Sequence, residues 1–203
     1  RKACLWLRTA IRVQELLWKG PARGPRELYA GAAEVDWPKY LDPGFTIAVD
    51  ASVRDSELTH SGFAALTIKD AIVDKIRERF GDRPNVDTQD PDLPLKLVLK
   101  RDEALLYRDW AGESLHKRGY RQILVKSPLN EATAAGILML AGWDRKSALA
   151  DPMCGSATLL IEAAMWAADR APGLNRRFAF ERWQDLDEAA WAKERDEAKR
   201  RAK

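Results

Sequence analysis

The sequence predicts an α+β region followed by the incomplete start of an open α/β nucleotide-binding domain, and two stretches carry that reading. From Phe45 to Asp109 a β-rich segment, a long helical pattern, a turn-rich stretch and two more β-rich segments follow one another. That order suits a small sheet with its helix on one face. From Ser147 to Gly173 a short apolar run, a turn of small residues and an apolar helical pattern read as strand, turn and helix. The crevice at the carboxyl end of such a strand is where open α/β sheets bind nucleotides.

In chain order, Cys4, Leu5, Leu7 and Ala10 suggest a short helix between Lys2 and Ile11, and Val13 to Trp18 reads as a strand. The Gly20-Pro21-Ala22-Arg23-Gly24-Pro25 turn precedes a second helix over Arg26–Val35, with Leu28, Tyr29 and Ala32 on one side. Phe45–Ala51 is a short buried strand. Ser61–Phe80 is a long helix, its core face marked by Ile68, Ile72, Ile76 and Phe80, with Lys69, Asp70, Lys75 and Arg77 turned outward. Turn formers fill residues 81–92, and Leu95–Leu99 and Leu105–Asp109 form a hairpin joined near Arg101-Asp102-Glu103. Asn130 caps a helix running to Gly142. Ser147–Ala150 is a short buried strand, and a charged helix covers Leu186–Lys203, with Asp196/Arg200 and Glu197/Arg201 four apart.

Two segments are chemically suggestive. In Asp151-Pro152-Met153-Cys154-Gly155-Ser156-Ala157-Thr158, Gly155 lets a ligand approach the backbone, and Ser156 is placed to cap the following helix and leave N–H groups facing the crevice. Between Ser114 and Pro128 stand Lys117, Arg118, Arg121 and Lys126 with no acid, and Tyr120 lies among them. Basic side chains bind phosphates and a tyrosine face stacks on an unpaired base, so this is the RNA-contact candidate; the alternative is a solvated connector. Phe178, Phe180 and Trp183 read as packing residues, while Arg176 and Arg177 are available to phosphates.

The string from Asp151 to Thr158, with Ile161-Glu162-Ala163-Ala164 and Ala171-Pro172-Gly173, resembles the first cofactor motif of the THUMP-containing RNA methyltransferases, in particular the bacterial 23S (large-subunit) rRNA guanine-N2 methyltransferases. Lys69-Asp70-Ala71-Ile72-Val73-Asp74, Arg83-Pro84-Asn85-Val86-Asp87, Pro91-Asp92 and the hairpin are similar to the THUMP domain of the same proteins. Gly112-Glu113-Ser114-Leu115-His116-Lys117-Arg118-Gly119-Tyr120-Arg121 is similar to their interdomain joint. The resemblance runs from about Trp6 onward. It implies a THUMP region with the end of a ferredoxin-like part over 1–112, a basic linker over 113–127, and the start of a Rossmann-like methyltransferase domain over 128–203. It also implies that Asp151, Pro152, Gly155, Ser156 and Ala157 hold S-adenosyl-L-methionine, with Glu131 beside its amino-acid end. Glu131 equally suits the first turn of a helix, favoured there by the dipole. The family usually has glycine where this chain has Ala157, whose methyl group narrows the turn. The RNA contacts expected from the basic run are Lys117, Arg118, Tyr120, Arg121 and Lys126, and the resemblance of this stretch to the family's interdomain joint favours them over a solvated connector.

At 46% apolar and 32% charged residues, 203 residues suffice for a packed core, and the net charge of +3 decides nothing about RNA. Cys4 and Cys154 make no CxxC, and His60 and His116 are far apart, so neither a disulfide framework nor a metal is expected. No membrane span or signal peptide is read, and the expected location is the cytoplasm. The chain opens on Arg1 in a helical pattern and closes in one, as a segment of a longer protein would. The ribose-binding acid and the Asn-Pro-Pro-Tyr-type catalytic loop of the family are absent, so no catalytic residue is assigned and the chain alone is expected to be inactive, with its region after Pro128 partly unfolded or held by the THUMP side. The competing reading is a stand-alone RNA-binding module without catalysis; a dehydrogenase is disfavoured because Gly155-Ser156-Ala157 lacks the GxGxxG glycines.

Overall fold

The computed structural model describes residues 1–121 and 128–202, which fall into two compact units. One comprises Gln14–Gly112 with Ala179–Leu186; the other comprises Arg1–Val13, Glu113–Phe178 and Asp187–Lys203. Compared with the division expected from the sequence, the first thirteen residues join the unit of the glycine turn, and residues 179–186 join the sheet unit. The elements in chain order are α1 (Lys2–Trp6), β1 (Gln14–Pro21), α2 (Pro25–Ala33), β2 (Thr46–Arg54), α3 (Ser61–Phe80), β3 (Asn85–Val86), β4 (Leu93–Lys100), β5 (Glu103–Asp109), α4 (Glu131–Leu140), α5 (Thr158–Ala167) and α6 (Glu188–Arg201), with short 3-10 turns at Trp37–Lys39 and Ala179–Arg182.

The sheet has the order β1-β5-β4-β2-β3. The β1/β5 and β5/β4 pairs are antiparallel, and β4/β2 and β2/β3 are parallel. Leu93, Leu95, Leu97 and Leu99 alternate along β4 and are buried, and the register sets Leu97 against Leu106 and Leu99 against Ala104 on the same face. Arg101 and Asp102 turn the hairpin with φ of 52° and 60°, the double left-handed geometry that matches the twist of the flanking strands. Ile68, Ile72 and Ile76 of α3 are fully buried. Phe80, expected on the same stripe, is 46% exposed. Positions four apart advance about 40° around a 3.6-residue helix at each step, so the line has left the buried side by the end of α3.

The other unit is built on the N-terminal residues. The Gly173 N–H donates to the Leu5 carbonyl at 3.0 Å, and Arg8 donates to the carbonyls of Met165 and Arg170 at 3.3 and 2.6 Å. A Cβ at Gly173 would lie 2.8 Å from the Cys4 oxygen, so only glycine permits this approach. Helices α4 and α5 pack together, and Phe178 meets Trp191 edge-on at 5.8 Å. The described residues of this unit after Pro128 are therefore packed, and Cys4, Leu5 and Arg8 of the N-terminal segment are buried in it. The strand expected at Ser147–Ala150 is not formed: these residues are exposed, and the Asp144 carboxylate accepts from the Lys146 and Ser147 N–H groups in a turn. A parallel strand is stable between partners, and among the described residues none pairs with this one. Among the described residues no helix is long and apolar enough to cross a membrane.

Candidate functional site

The turn between residues 151 and 157 is held by its own backbone and side chains. An Asp151 carboxylate oxygen accepts from the Met153 N–H at 3.1 Å, and the Ala157 N–H donates to the Cys154 carbonyl at 2.7 Å. Gly155 has φ +53°, and no heavy atom lies within 4 Å of the position a Cβ would take, so its surface is open to an incoming group. Pro152, Met153, Cys154 and Gly155 are all exposed. The capping expectation changes: Ala157, at φ 58° and ψ 23°, is the N-cap residue just before α5, and no side chain caps the helix. The Ser156 hydroxyl instead lies 3.1 Å from the Thr158 hydroxyl and 2.9 Å from Arg121.

Arg121 organises the site. Its Nε and one terminal nitrogen donate to Glu131 Oε1 at 3.1 and 3.0 Å, and the same nitrogen reaches the Thr158 hydroxyl and the Leu129 carbonyl, each at 3.1 Å. The other terminal nitrogen donates to Ser156. The planar fork thus ties the first turn of α4 to the first turn of α5 through charge-assisted bonds. Glu131 is 5% exposed and follows the cap Asn130, whose side chain accepts from the Ala132 and Thr133 N–H groups. The structure brings Glu131 and Ser156 into one hydrogen-bonded network, and the dipole position and proximity to the turn hold together.

The remaining junction residues do not form a free basic stripe. Arg118, expected to contact phosphate, is 3% exposed; its guanidinium donates to the carbonyls of Leu115 and Arg8 and lies beside Glu162. That expectation is corrected, because a side chain committed inward has no surface for RNA. The Tyr120 hydroxyl donates to Glu162 at 3.2 Å, and burial, with the nearby carboxylates of Glu162 and Glu131, pushes its ionisation far above the ordinary tyrosine value. Burial likewise pushes the Glu162 carboxyl up, against the pull of Arg118, Tyr120 and Arg8. Lys117 is exposed and pairs with Glu113 at 2.7 Å. Lys126 lies outside the described residues. Sequence reasoning missed Glu162 as a structural acid, although its place among Leu159, Leu160, Ile161, Ala163 and Ala164 marks it as a carboxylate on an apolar helix. No spacing rule pointed to Arg121 as the partner of Glu131 and Ser156.

Comparison with known families matches residues 23–109 to the THUMP domain and residues 118–203 to an RMKL-like methyltransferase domain. The ribosomal RNA large subunit methyltransferase K/L of Syntrophotalea carbinolica is 46% identical over 205 residues, covering 98% of this chain and 29% of that protein. The protein of the same name from Pseudomonas entomophila is 48% identical over 206 residues, covering 99% and 28%. Among solved structures, the putative methyltransferase SMU.472 complexed with SAH superposes with a TM-score of 0.88 at 38% identity, covering 99% of this chain and 53% of its own. A Listeria monocytogenes protein described as a predicted N6-adenine-specific DNA methylase superposes with a TM-score of 0.90 at 32% identity, again covering 99% and 53%. The chain thus spans less than a third of the length of these curated relatives.

Proposed function

The chain belongs to the THUMP-containing large-subunit ribosomal RNA methyltransferase family of the K/L type, and on that premise we propose that it is the RNA-binding and cofactor-turn part of an enzyme transferring a methyl group from S-adenosyl-L-methionine to the exocyclic amine of a guanine in large-subunit rRNA. The observation that carries the cofactor reading is the Arg121 fork, which fixes Glu131 against Ser156 at the start of α5 while Gly155 stays open. The residues present fit such a ligand. Gly155 leaves room for close approach, the start of α5 lies at the turn, and Asp151 is fixed at its entrance. The chemistry that S-adenosyl-L-methionine supplies when bound is a sulfonium methyl open to attack by an amine nitrogen. The chain's own residues shape the turn around it: Asp151, Pro152, Gly155, Ser156 and Ala157 form the wall, and Glu131, held by Arg121, supplies an oriented carboxylate for the amino-acid end.

For RNA, the exposed Lys117 and the ring of Tyr120 remain in the reading together with Lys126, whereas Arg121 serves the turn. With rRNA as the partner, the protein works in the bacterial cytoplasm. The stand-alone RNA module loses support because residues 118–203 match a methyltransferase domain.

The test is calorimetric titration of the complete protein with S-adenosylhomocysteine. Wild type should bind, and Gly155→Val should lose most of the affinity, since a branched side chain fills the approach and is strained at positive φ. Arg121→Gln should weaken binding by releasing Glu131 from Ser156. Undiminished binding by a folded Gly155→Val protein would overturn the assignment.

A further inference from the structure

A second charged surface lies within the unit of the glycine turn, away from the residues of that turn. A groove of about 820 Å³ is lined by eight residues, of which five are cationic (Arg170, Arg176, Arg177, Arg195 and Lys199) and none is acidic. The loop after α5 supplies one wall. The other is a face of α6, because Arg195 and Lys199 are four residues apart, with Ala202 just past the end of the helix.

The groove is built rather than fortuitous. Phe178 and Trp191 pack edge-on at 5.8 Å, and each carries a guanidinium over its ring: Arg176 at 5.2 Å from the Phe178 centroid and Arg195 at 5.7 Å from the Trp191 centroid. Aromatic faces hold such cations in place at a modest energetic gain. Arg176 donates to the backbone carbonyls of Glu113, Ser114 and Lys117, so it contributes charge to the wall while its donors serve the fold. Arg170 is oriented by the Asn175 side-chain carbonyl at 2.9 Å. Arg177 and Lys199 are exposed, and the Lys199 ion pair with Asp196 at 3.2 Å is a surface pair that a stronger anion displaces readily.

We propose that this groove binds the phosphodiester backbone of RNA, with Arg177, Arg195 and Lys199 meeting phosphates and Arg170 and Arg176 supplying the surrounding charge. The proposal rests on the rRNA reading above and extends it to residues outside the THUMP domain and the cofactor turn. A single phosphate carries too little charge to match five cations, whereas a strand presenting one charge per nucleotide matches a row of them. Four of the five are arginines, whose forked donors suit phosphate oxygens. An anionic membrane is disfavoured because the lining offers little apolar surface, with only Leu174 and Ala202 among the eight.

The experiment measures binding of a fluorescein-labelled RNA hairpin to the 203-residue chain by anisotropy across a salt series. The Arg177→Glu/Lys199→Glu variant should bind at least tenfold more weakly at low salt, and its log–log salt slope should fall by about 0.7–0.9 for each phosphate that the groove no longer holds. Lys75→Glu, a single charge reversal on α3 of the other unit, should do much less than half as much. Arg177→Ala/Lys199→Ala, which touches only exposed side chains, guards against misfolding and should show the same fall in slope. Absence of hairpin binding by the wild-type chain, an unchanged slope in both variants, an equal effect from Lys75→Glu, or equal binding to phosphatidylglycerol vesicles would each overturn the proposal. S-adenosylhomocysteine binding by the complete protein should be unchanged in these variants, so failure of the groove and failure of the cofactor assignment give different results.

Discussion

The Arg118 guanidinium and the Glu162 carboxylate lie 3.5 Å apart with side-chain exposures of 2% and 0%. Arg118 also binds the carbonyls of Leu115 and Arg8, and Glu162 accepts from the Tyr120 hydroxyl, so the pair joins the N-terminal segment, the junction and α5 within one unit. Removing one buried partner strands the other charge. Arg118→Met should therefore cost about 3–5 kcal/mol, whereas Arg118→Met/Glu162→Leu should recover a substantial part of the loss. Urea unfolding followed by tryptophan fluorescence would measure both. A loss below about 1 kcal/mol in the single variant would mean that water reaches the pair and that Arg118 is available at the surface after all.

The left-handed backbone at Ala157 makes a prediction of opposite sign. With φ at 58°, the alanine occupies a conformation that costs an L-residue about 1–2 kcal/mol, and glycine relieves it at the smaller cost of a more flexible unfolded chain. Ala157→Gly should raise stability by roughly 0.5–1 kcal/mol. It should also leave S-adenosylhomocysteine binding by the complete protein equal or tighter. Lower stability in Ala157→Gly would show that the methyl group contributes packing that outweighs its strain.

The sheet unit is legible in the sequence because its elements depend on local pattern. The period of β4, the spacing of Ile68, Ile72 and Ile76, and the Arg101-Asp102 turn each announce themselves within a few residues. Ser147–Ala150 misleads for the opposite reason: a strand is a property of its partners, and apolar residues alone do not supply them. The turn proposed to hold the cofactor is legible as a string, but its organiser is not. Arg121 has the composition of a phosphate ligand, and only the fold reveals that its donors go to Glu131, Ser156, Thr158 and Leu129. Charge runs in sequence say how many cations are present; partners decide which remain available.

Arg108 is equally silent in the sequence, and its environment makes it one fastening of residues 179–186 within the sheet unit, beside the Arg182 pairs with Asp90 and Asp92. It is 4% exposed, binds Asp185 through both terminal nitrogens at 3.1 and 2.8 Å and Glu15 through Nε at 2.8 Å, and lies 4.3 Å from the Trp183 ring and 4.7 Å from that of Tyr40. Lysine keeps the charge but cannot reproduce a bidentate fork between aromatic faces. Because Glu15 and Asp185 are partly exposed, Arg108→Lys should cost about 1–3 kcal/mol rather than the full penalty of a buried broken pair. The segment 179–186 should also become the first site of limited proteolysis. Wild-type proteolytic resistance in the variant would place the hold on this segment in its other contacts, the Arg182 pairs with Asp90 and Asp92 and the packing of Phe180 and Trp183.

His116 makes the stability of the turn-bearing unit depend on pH in a defined direction. Its Nδ1 lies 2.7 Å from the Ser114 hydroxyl, which also donates to the Ile11 carbonyl. Burial pushes the imidazole below its ordinary 6.5, with Lys117 and Arg118 adding to the effect and Glu131 and Glu113 opposing it. Above pH 6.5 the ring is neutral in both folded and unfolded chains, and its contribution to stability is fully present. As the pH falls through 6.5 the unfolded chain takes up the proton first, so stability is lost progressively until the pH has passed the lower folded value. Unfolding midpoints measured between about pH 8 and 5 should therefore fall more steeply below 6.5 for wild type than for His116→Gln, whose amide can still hydrogen-bond Ser114 but does not titrate. Parallel profiles for the two proteins would mean that the ring takes up its proton equally in the folded and unfolded states, and would remove His116 as a source of pH sensitivity.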